Sequence, residues 1–234
     1  MLGNILITGG ASGLGRATAI AVAKEGGRPL SIDVNEPGGD VDHARADLAD
    51  RGQAERAVRE LAEGAGGLDG VVTAAGIDAC GRLEDIPAAD WERVIAVNLL
   101  GTASVIRAAL PYLRESRARA GGAAVGKVVT VASTLGVRAV SDATAYCAAK
   151  FGVVGFTRAL AAELAGEVGV TLLIPGGMHT NFFDGREEKY RPGPDARLNQ
   201  PEDVAAAVVF ALGQPRGCEI RELVVCSSTE TSWP

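Results

Sequence analysis

The chain has 234 residues, 47% of them hydrophobic, and a net charge of −6, which is enough to bury one sizeable core in a single domain spanning 1–234 and argues against a nucleic-acid partner. Cys80, Cys147, Cys218 and Cys226 form no Cys-x-x-Cys pair and read as reduced thiols of a cytoplasmic protein. His43 and His179 stand isolated, so no metal site is expected, and no apolar run reaches the length of a membrane span.

In chain order, Ile5-Leu6-Ile7 leads directly into Thr8-Gly9-Gly10-Ala11-Ser12-Gly13-Leu14-Gly15. This pattern is a strand entering a phosphate cradle. Glycines 9, 13 and 15 let the backbone turn sharply and approach a pyrophosphate, and a helix from Arg16 to Glu25 offers its N-terminal amides to the anion. The apolar start, Leu2 to Thr8, is too short and too uncharged for a signal peptide. Asp33 closes the next apolar segment, Leu30 to Asp33, where a carboxylate accepts both adenosine ribose hydroxyls and repels a 2′-phosphate. Neither Ser12 nor Val34 supplies a cation against that repulsion, so NAD is expected over NADP.

Further β-like runs fall at Val41 to Ala46, Val71 to Ala74, Val128 to Ala132, Val170 to Ile174 and Leu223 to Val225, alternating with helical stretches such as Trp91 to Arg119 and Ala148 to Ala165. About seven strands with helices on both faces give an α/β, doubly wound parallel sheet. Gly64 to Gly67 and Gly121 to Gly126 fit helix-to-strand connections, and Arg114, Arg117 and Arg119 fit a solvated helix end. Ser133 follows the Val128 run, at the sheet end where open α/β proteins bind ligands. Tyr146 and Lys150, four residues apart, share one helical face. A neighbouring ammonium favours phenolate, and moving a phenol from ~10 to about 7 takes about 4 kcal/mol of differential stabilisation. The irregular stretch Asn181 to Gln200, with Phe182 and Phe183, is a candidate substrate lid.

Thr8-Gly9-x-x-x-Gly13-x-Gly15, Asp33, Asp47-Leu48, Asn98, Ser133, Tyr146-x-x-x-Lys150 and Pro175-Gly176-x-x-x-Thr180 together resemble the short-chain dehydrogenase/reductase family, in its compact single-domain branch. The resemblance implies a Rossmann fold and reversible hydride transfer between NAD and a small-molecule secondary alcohol or ketone. It makes Tyr146 the general acid/base and gives Lys150 the tasks of lowering its pKa and holding the nicotinamide ribose. Ser133 then hydrogen-bonds the reacting oxygen, and Asn98 holds a relay water. Gly9, Ser12, Gly13, Leu14 and Gly15 cradle the pyrophosphate, Asp47 and Leu48 flank the adenine, and Ala74, Ala75 and Gly76 line the cofactor. Thr180 holds the carboxamide, with Pro175 and Gly176 shaping the loop. A homodimer or homotetramer is also implied, and no membrane is expected to take part.

Three departures from that pattern stand out. Val72-Thr73-Ala74-Ala75-Gly76 lacks the family's asparagine, so its bracing hydrogen bond is lost or replaced by the Thr73 hydroxyl, and Ala149 stands where a serine is common. The chain closes on Ser227-Ser228-Thr229-Glu230-Thr231-Ser232-Trp233-Pro234 instead of Asp-Gly-Gly. A large indole beyond a polar run is expected to dock and bury Trp233. Three other outcomes stay open: an NADP-dependent reductase, a dehalogenase-like relative, and a catalytically silent cofactor-binding relative.

Overall fold

The computed structural model describes residues 2–39, 41–119 and 126–233. Seven strands form one sheet in the order β3-β2-β1-β4-β5-β6-β7. They are β1 (Asn4–Thr8), β2 (Arg28–Asp33), β3 (Asp42–Arg45), β4 (Gly70–Thr73), β5 (Lys127–Val131), β6 (Gly169–Pro175) and β7 (Glu222–Val225). Every pairing is parallel. The strand order reverses between β1 and β4, which opens a crevice at their carboxyl ends.

Six α-helices cover the sheet: α1 (Gly13–Lys24), α2 (Arg51–Ala65), α3 (Ala88–Ile95), α4 (Thr102–Arg119), α5 (Thr144–Glu163) and α6 (Pro201–Leu212). Alternation along each strand sorts the core into two layers. Ile5 and Ile7 of β1 pack with Val22, Val72, Val129, Val204 and Val208 beneath α1 and α6. Leu6, between them, packs on the opposite face with Leu30, Val71, Val128, Ile106 and Leu113. Both faces of the sheet are therefore dry, which explains the nearly continuous apolar strands of a chain that alternates β and α.

Local chemistry sets the helix boundaries. The Asp50 carboxylate caps α2 by accepting from the Gln53 amide at 3.0 Å, and Gly66, at φ 75°, ends it in the left-handed conformation. Pro201 opens α6, with Glu202 and Asp203 in its first turn. The first helix begins at Gly13, three residues ahead of the expected Arg16, so the cradle glycines themselves form its first turn. The expected Trp91 to Arg119 helix starts earlier, at Ala88, and is divided by a π-helical stretch, Ala96–Gly101. At α5 the helix opens at Thr144, not Ala148, which places Tyr146 within it.

Several sequence expectations need correction. The continuous stretch Ala88–Ser116 is long and apolar enough to cross a membrane by composition, although half of its apolar window is buried against this fold. Trp233 is 38% exposed, so the indole is not buried, even though the segment before it is docked. Arg114 pairs with Glu167 at 3.0 Å, whereas the Arg117 and Arg119 side chains, 121–125 and Pro234 lie outside the described residues.

Leu6 is completely buried between α2, α4 and the sheet. Leu6→Ala is expected to lower unfolding free energy by about 2 to 5 kcal/mol in urea titrations. Ile20→Ala, at a side chain 47% exposed, should stay within about 0.5 kcal/mol of the parent.

Candidate active site

The cradle joins β1 to α1 at the crevice. Gly9 adopts φ +73°, and a Cβ there would lie 2.9 Å from the backbone of Ala75. A Cβ on Gly15 would overlap the Gly9 carbonyl oxygen, so the helix packs against the turn only because both positions are glycine. Ser12 is the N-cap residue of α1, its hydroxyl makes no capping bond, and the first turn carries no acid. The amides there keep their positive potential for an external anion. Thr180, after β6, faces this turn from across the crevice: its side chain lies 3.3 Å from where a Gly13 Cβ would be.

Asp33 ends β2 beside the cradle. One of its carboxylate oxygens accepts from the Ala11 amide at 3.0 Å and the other from the Asn35 amide at 2.9 Å. The two bonds fix the carboxylate and leave lone pairs for further donors. Arg45 stands in register with Asp33 on β3, so a cation does line this edge, although neither Ser12 nor Val34 provides it. Asp47 accepts from Ala49 N and from Arg93 Nη2, each at 3.0 Å, and Leu48 is buried next to Gly101. At the end of β4, the Thr8 hydroxyl accepts from the Ala75 amide at 3.1 Å, while the buried Thr73 hydroxyl has no partner. Thr73 thus does not replace the bracing asparagine; Thr8 steadies the Ala74-Ala75-Gly76 turn from the other side.

The reacting end is built from β5, α5 and the π-helical stretch. The Ser133 hydroxyl accepts from Leu135 N at 3.1 Å and caps a 3₁₀ turn, Thr134–Gly136, and it opposes the upward shift of the Tyr146 phenol. Lys150 is 4% exposed; its Nζ donates to the Val131 carbonyl at 2.8 Å and lies 5.5 Å from the centre of the Tyr146 ring. Two Nζ protons remain for other acceptors. Asn98 brackets Ile77, accepting from its amide at 2.9 Å and donating to its carbonyl at 2.8 Å. The two bonds hold the chain after Gly76 and leave one N–H and one lone pair of the carboxamide over. A Gly76 Cβ would sit 3.6 Å from Asn98 Oδ1 and 3.8 Å from Lys150 Nζ, so these two groups meet over that glycine.

Burial governs both titrating groups. It raises the Tyr146 phenol above its usual range, with the Ser133 bond opposing, and lowers the Lys150 ammonium to about 8. Burial, and not the nearby Lys150 ammonium, dominates the shift of Tyr146 in the free chain.

The phenylalanines of the expected lid cover Tyr146, held by an ion pair that sequence reading did not foresee. Phe182 packs on its ring at a centroid distance of 5.6 Å and Phe183 packs on Phe182. The Arg186 guanidinium lies 4.9 and 4.6 Å from the two phenylalanine rings and pairs with Asp78 at 2.7 Å. Asp78 and Arg186 lie 108 residues apart, so no local pattern links them. Cys80 donates its thiol to the same carboxylate at 3.2 Å, and burial pushes that thiol up to about 12. His179 is exposed and acts through its backbone, whose amide donates to the Asn199 carbonyl at 2.9 Å.

Comparison with known proteins agrees with this arrangement. The short chain dehydrogenase family matches residues 3–191. This chain belongs to that family. It is 32% identical over 223 residues to the 3-oxoacyl-[acyl-carrier-protein] reductase FabG of Thermotoga maritima, covering 88% of each chain. The 3-ketoacyl-(acyl-carrier-protein) reductase of Brucella melitensis complexed with NADH superposes with a TM-score of 0.85 at 28% identity, covering 97% of this chain and 99% of that one. An actinorhodin polyketide ketoreductase variant with NADPH gives 0.82 at 27% identity, with 95% of each chain covered. The protein is a family oxidoreductase for small-molecule alcohols or ketones, and its fold binds a nicotinamide cofactor.

Burial lowers the Lys150 pKa to about 8, and unfolding returns the group to water, where its pKa is near ~10.4. Between about 8 and 10.4 the unfolded chain binds the extra proton, so this group's contribution to stability grows as pH rises and is lost as pH falls through about 8. The stability difference between the parent and Lys150→Met should therefore move in the parent's favour across that window in chemical denaturation. A difference that stays constant with pH would contradict the assigned burial.

Proposed function

We propose that this short-chain dehydrogenase interconverts a secondary alcohol and a ketone with NAD, using Tyr146 as general acid/base. The observation that carries the reading is the convergence of Ser133, Tyr146 and Lys150 at the end of β5, beside a cradle whose glycines admit no Cβ. The nicotinamide, when bound, supplies or accepts the hydride. The α1 amides, Ser12 and Leu14 hold the pyrophosphate, Asp33 the adenosine ribose, and Asp47 and Leu48 the adenine side. Ala74, Ala75 and Gly76 form the floor, and Thr180 with Pro175 and Gly176 the nicotinamide side. In the oxidation direction Tyr146 Oη takes the alcohol proton while Ser133 Oγ holds the same oxygen in place. Lys150, through the two Nζ protons that Val131 leaves free, orients the ribose and stabilises the tyrosinate that must be present before the alcohol proton is taken. Asn98 keeps Ile77, and with it the floor, against this group.

An NADP-dependent reductase is the second reading, favoured by Arg45 beside Asp33. The Asn181 to Gln200 stretch serves as the lid in either case, with Phe182 as the apolar surface over Tyr146. A homodimer or homotetramer is also proposed, since Leu100 and Phe151 are 57% and 45% exposed on a single chain. Light scattering checks that point, and a monomer would reject it.

Calorimetry with NADH and NADPH tests the cofactor assignment: NADH should bind at least tenfold more tightly, and Asp33→Ala should erase most of that preference. Comparable affinities in the parent would favour the second reading. Tyr146→Phe should retain cofactor binding and lose at least about 99% of turnover. More than about a tenth of the parent rate would remove Tyr146 from the acid/base role.

A further inference from the structure

The segment that follows β7 lies beyond residues 3–191, which match the family, and it runs to the reacting end of the site. A turn closed by Glu230 N donating to the Ser227 carbonyl at 3.0 Å sends the chain back across the carboxyl ends of β5 and β6. Glu230 Oε2 accepts from Gly177 N at 3.2 Å, in the loop that carries Pro175, Gly176 and Thr180. Glu230 Oε1 accepts from the Ser232 amide at 3.0 Å and from the Ser232 hydroxyl at 2.7 Å. That hydroxyl lies 2.6 Å from the hydroxyl of Thr134, the residue after Ser133, and Arg138 donates to the Thr231 carbonyl. Gly176 makes room for the carboxylate: a Cβ there would overlap Glu230 Oε2.

We propose that Glu230 is a positioning residue, by which the chain's own C-terminal segment straps the nicotinamide-side loop to the turn that carries Ser133. The proposal rests on the cofactor reading above. The two clamped segments leave different strands, and no direct bond between them accompanies the strap. Glu230 and Ser232 supply the connection, through charge-assisted bonds on one side and a hydroxyl pair on the other. The strap touches only the nicotinamide end. Asp33 and Asp47, on the adenosine side of the crevice, have no bond to it.

ADP-ribose, which lacks the nicotinamide, separates the two ends. For Glu230→Ala, calorimetry should show NADH affinity reduced at least about fivefold with ADP-ribose affinity unchanged. Hydrogen exchange should quicken at Gly177–Thr180 and at Leu135–Val137, while β2 and β3 keep the parent's protection. Glu230→Gln, which keeps one acceptor oxygen and the shape, should fall between parent and Glu230→Ala. Equal weakening of both ligands, or no change in either, would overturn the strap, as would faster exchange at Gly177 alone. If the parent binds neither NADH nor ADP-ribose, the cofactor reading fails instead, and concerted exchange at the two segments still decides whether the strap exists.

Discussion

One buried ammonium organises the reacting end of this protein. Lys150 reaches the last carbonyl of β5 from the second turn of α5, and there it has a single protein acceptor and almost no water. An ionised group so placed is costly unless further acceptors arrive. The site is therefore poised for a ligand rich in oxygen atoms. Burial holds the phenol above its usual range and brings the amine down to about 8.

Much around Lys150 follows from keeping that space clear yet closed. Gly76 has no side chain to intrude between Lys150 and Asn98, and Asn98 ties down Ile77 immediately beyond it. On the opposite side, Phe182 lies over Tyr146, with its own position held by Arg186 against Asp78. At 6% and 17% side-chain exposure, this ion pair is much drier than the surface pairs elsewhere on the chain, so losing either partner would strand a charge.

The sequence made the scaffold legible wherever a signal was local. Periodic apolar runs located all seven strands within a residue or so, since a sheet buried on both faces tolerates little else. The cradle, Asp33, Ser133 and the Tyr146–Lys150 pair could likewise be read from short spacings. What escaped notice joins residues far apart in the chain, such as Asp78 with Arg186, and Gly177 with Glu230. The indole of Trp233 was misjudged because its size was weighed without knowing that Glu230 and Ser232, not the aromatic ring, anchor that segment. At Thr73 the loss of the asparagine's bond, one of the two outcomes expected, is what the structure shows, because a hydroxyl with nothing in reach cannot brace a strand.

The π-helical stretch between α3 and α4 sets the phase of everything after it. A π-turn accommodates one more residue than an α-turn, and each residue of a helix advances about 100° around its axis. Asn98 points to the site while Val105, Ile106, Ala109 and Leu113 point to the core, and both directions hold only with that extra residue in place. Deleting a single residue between 96 and 101 would regularise the helix and swing either the asparagine or the whole apolar face away by roughly a quarter turn. The length of this helix is therefore fixed to the residue, and an insertion or deletion is better absorbed in the loops at its two ends.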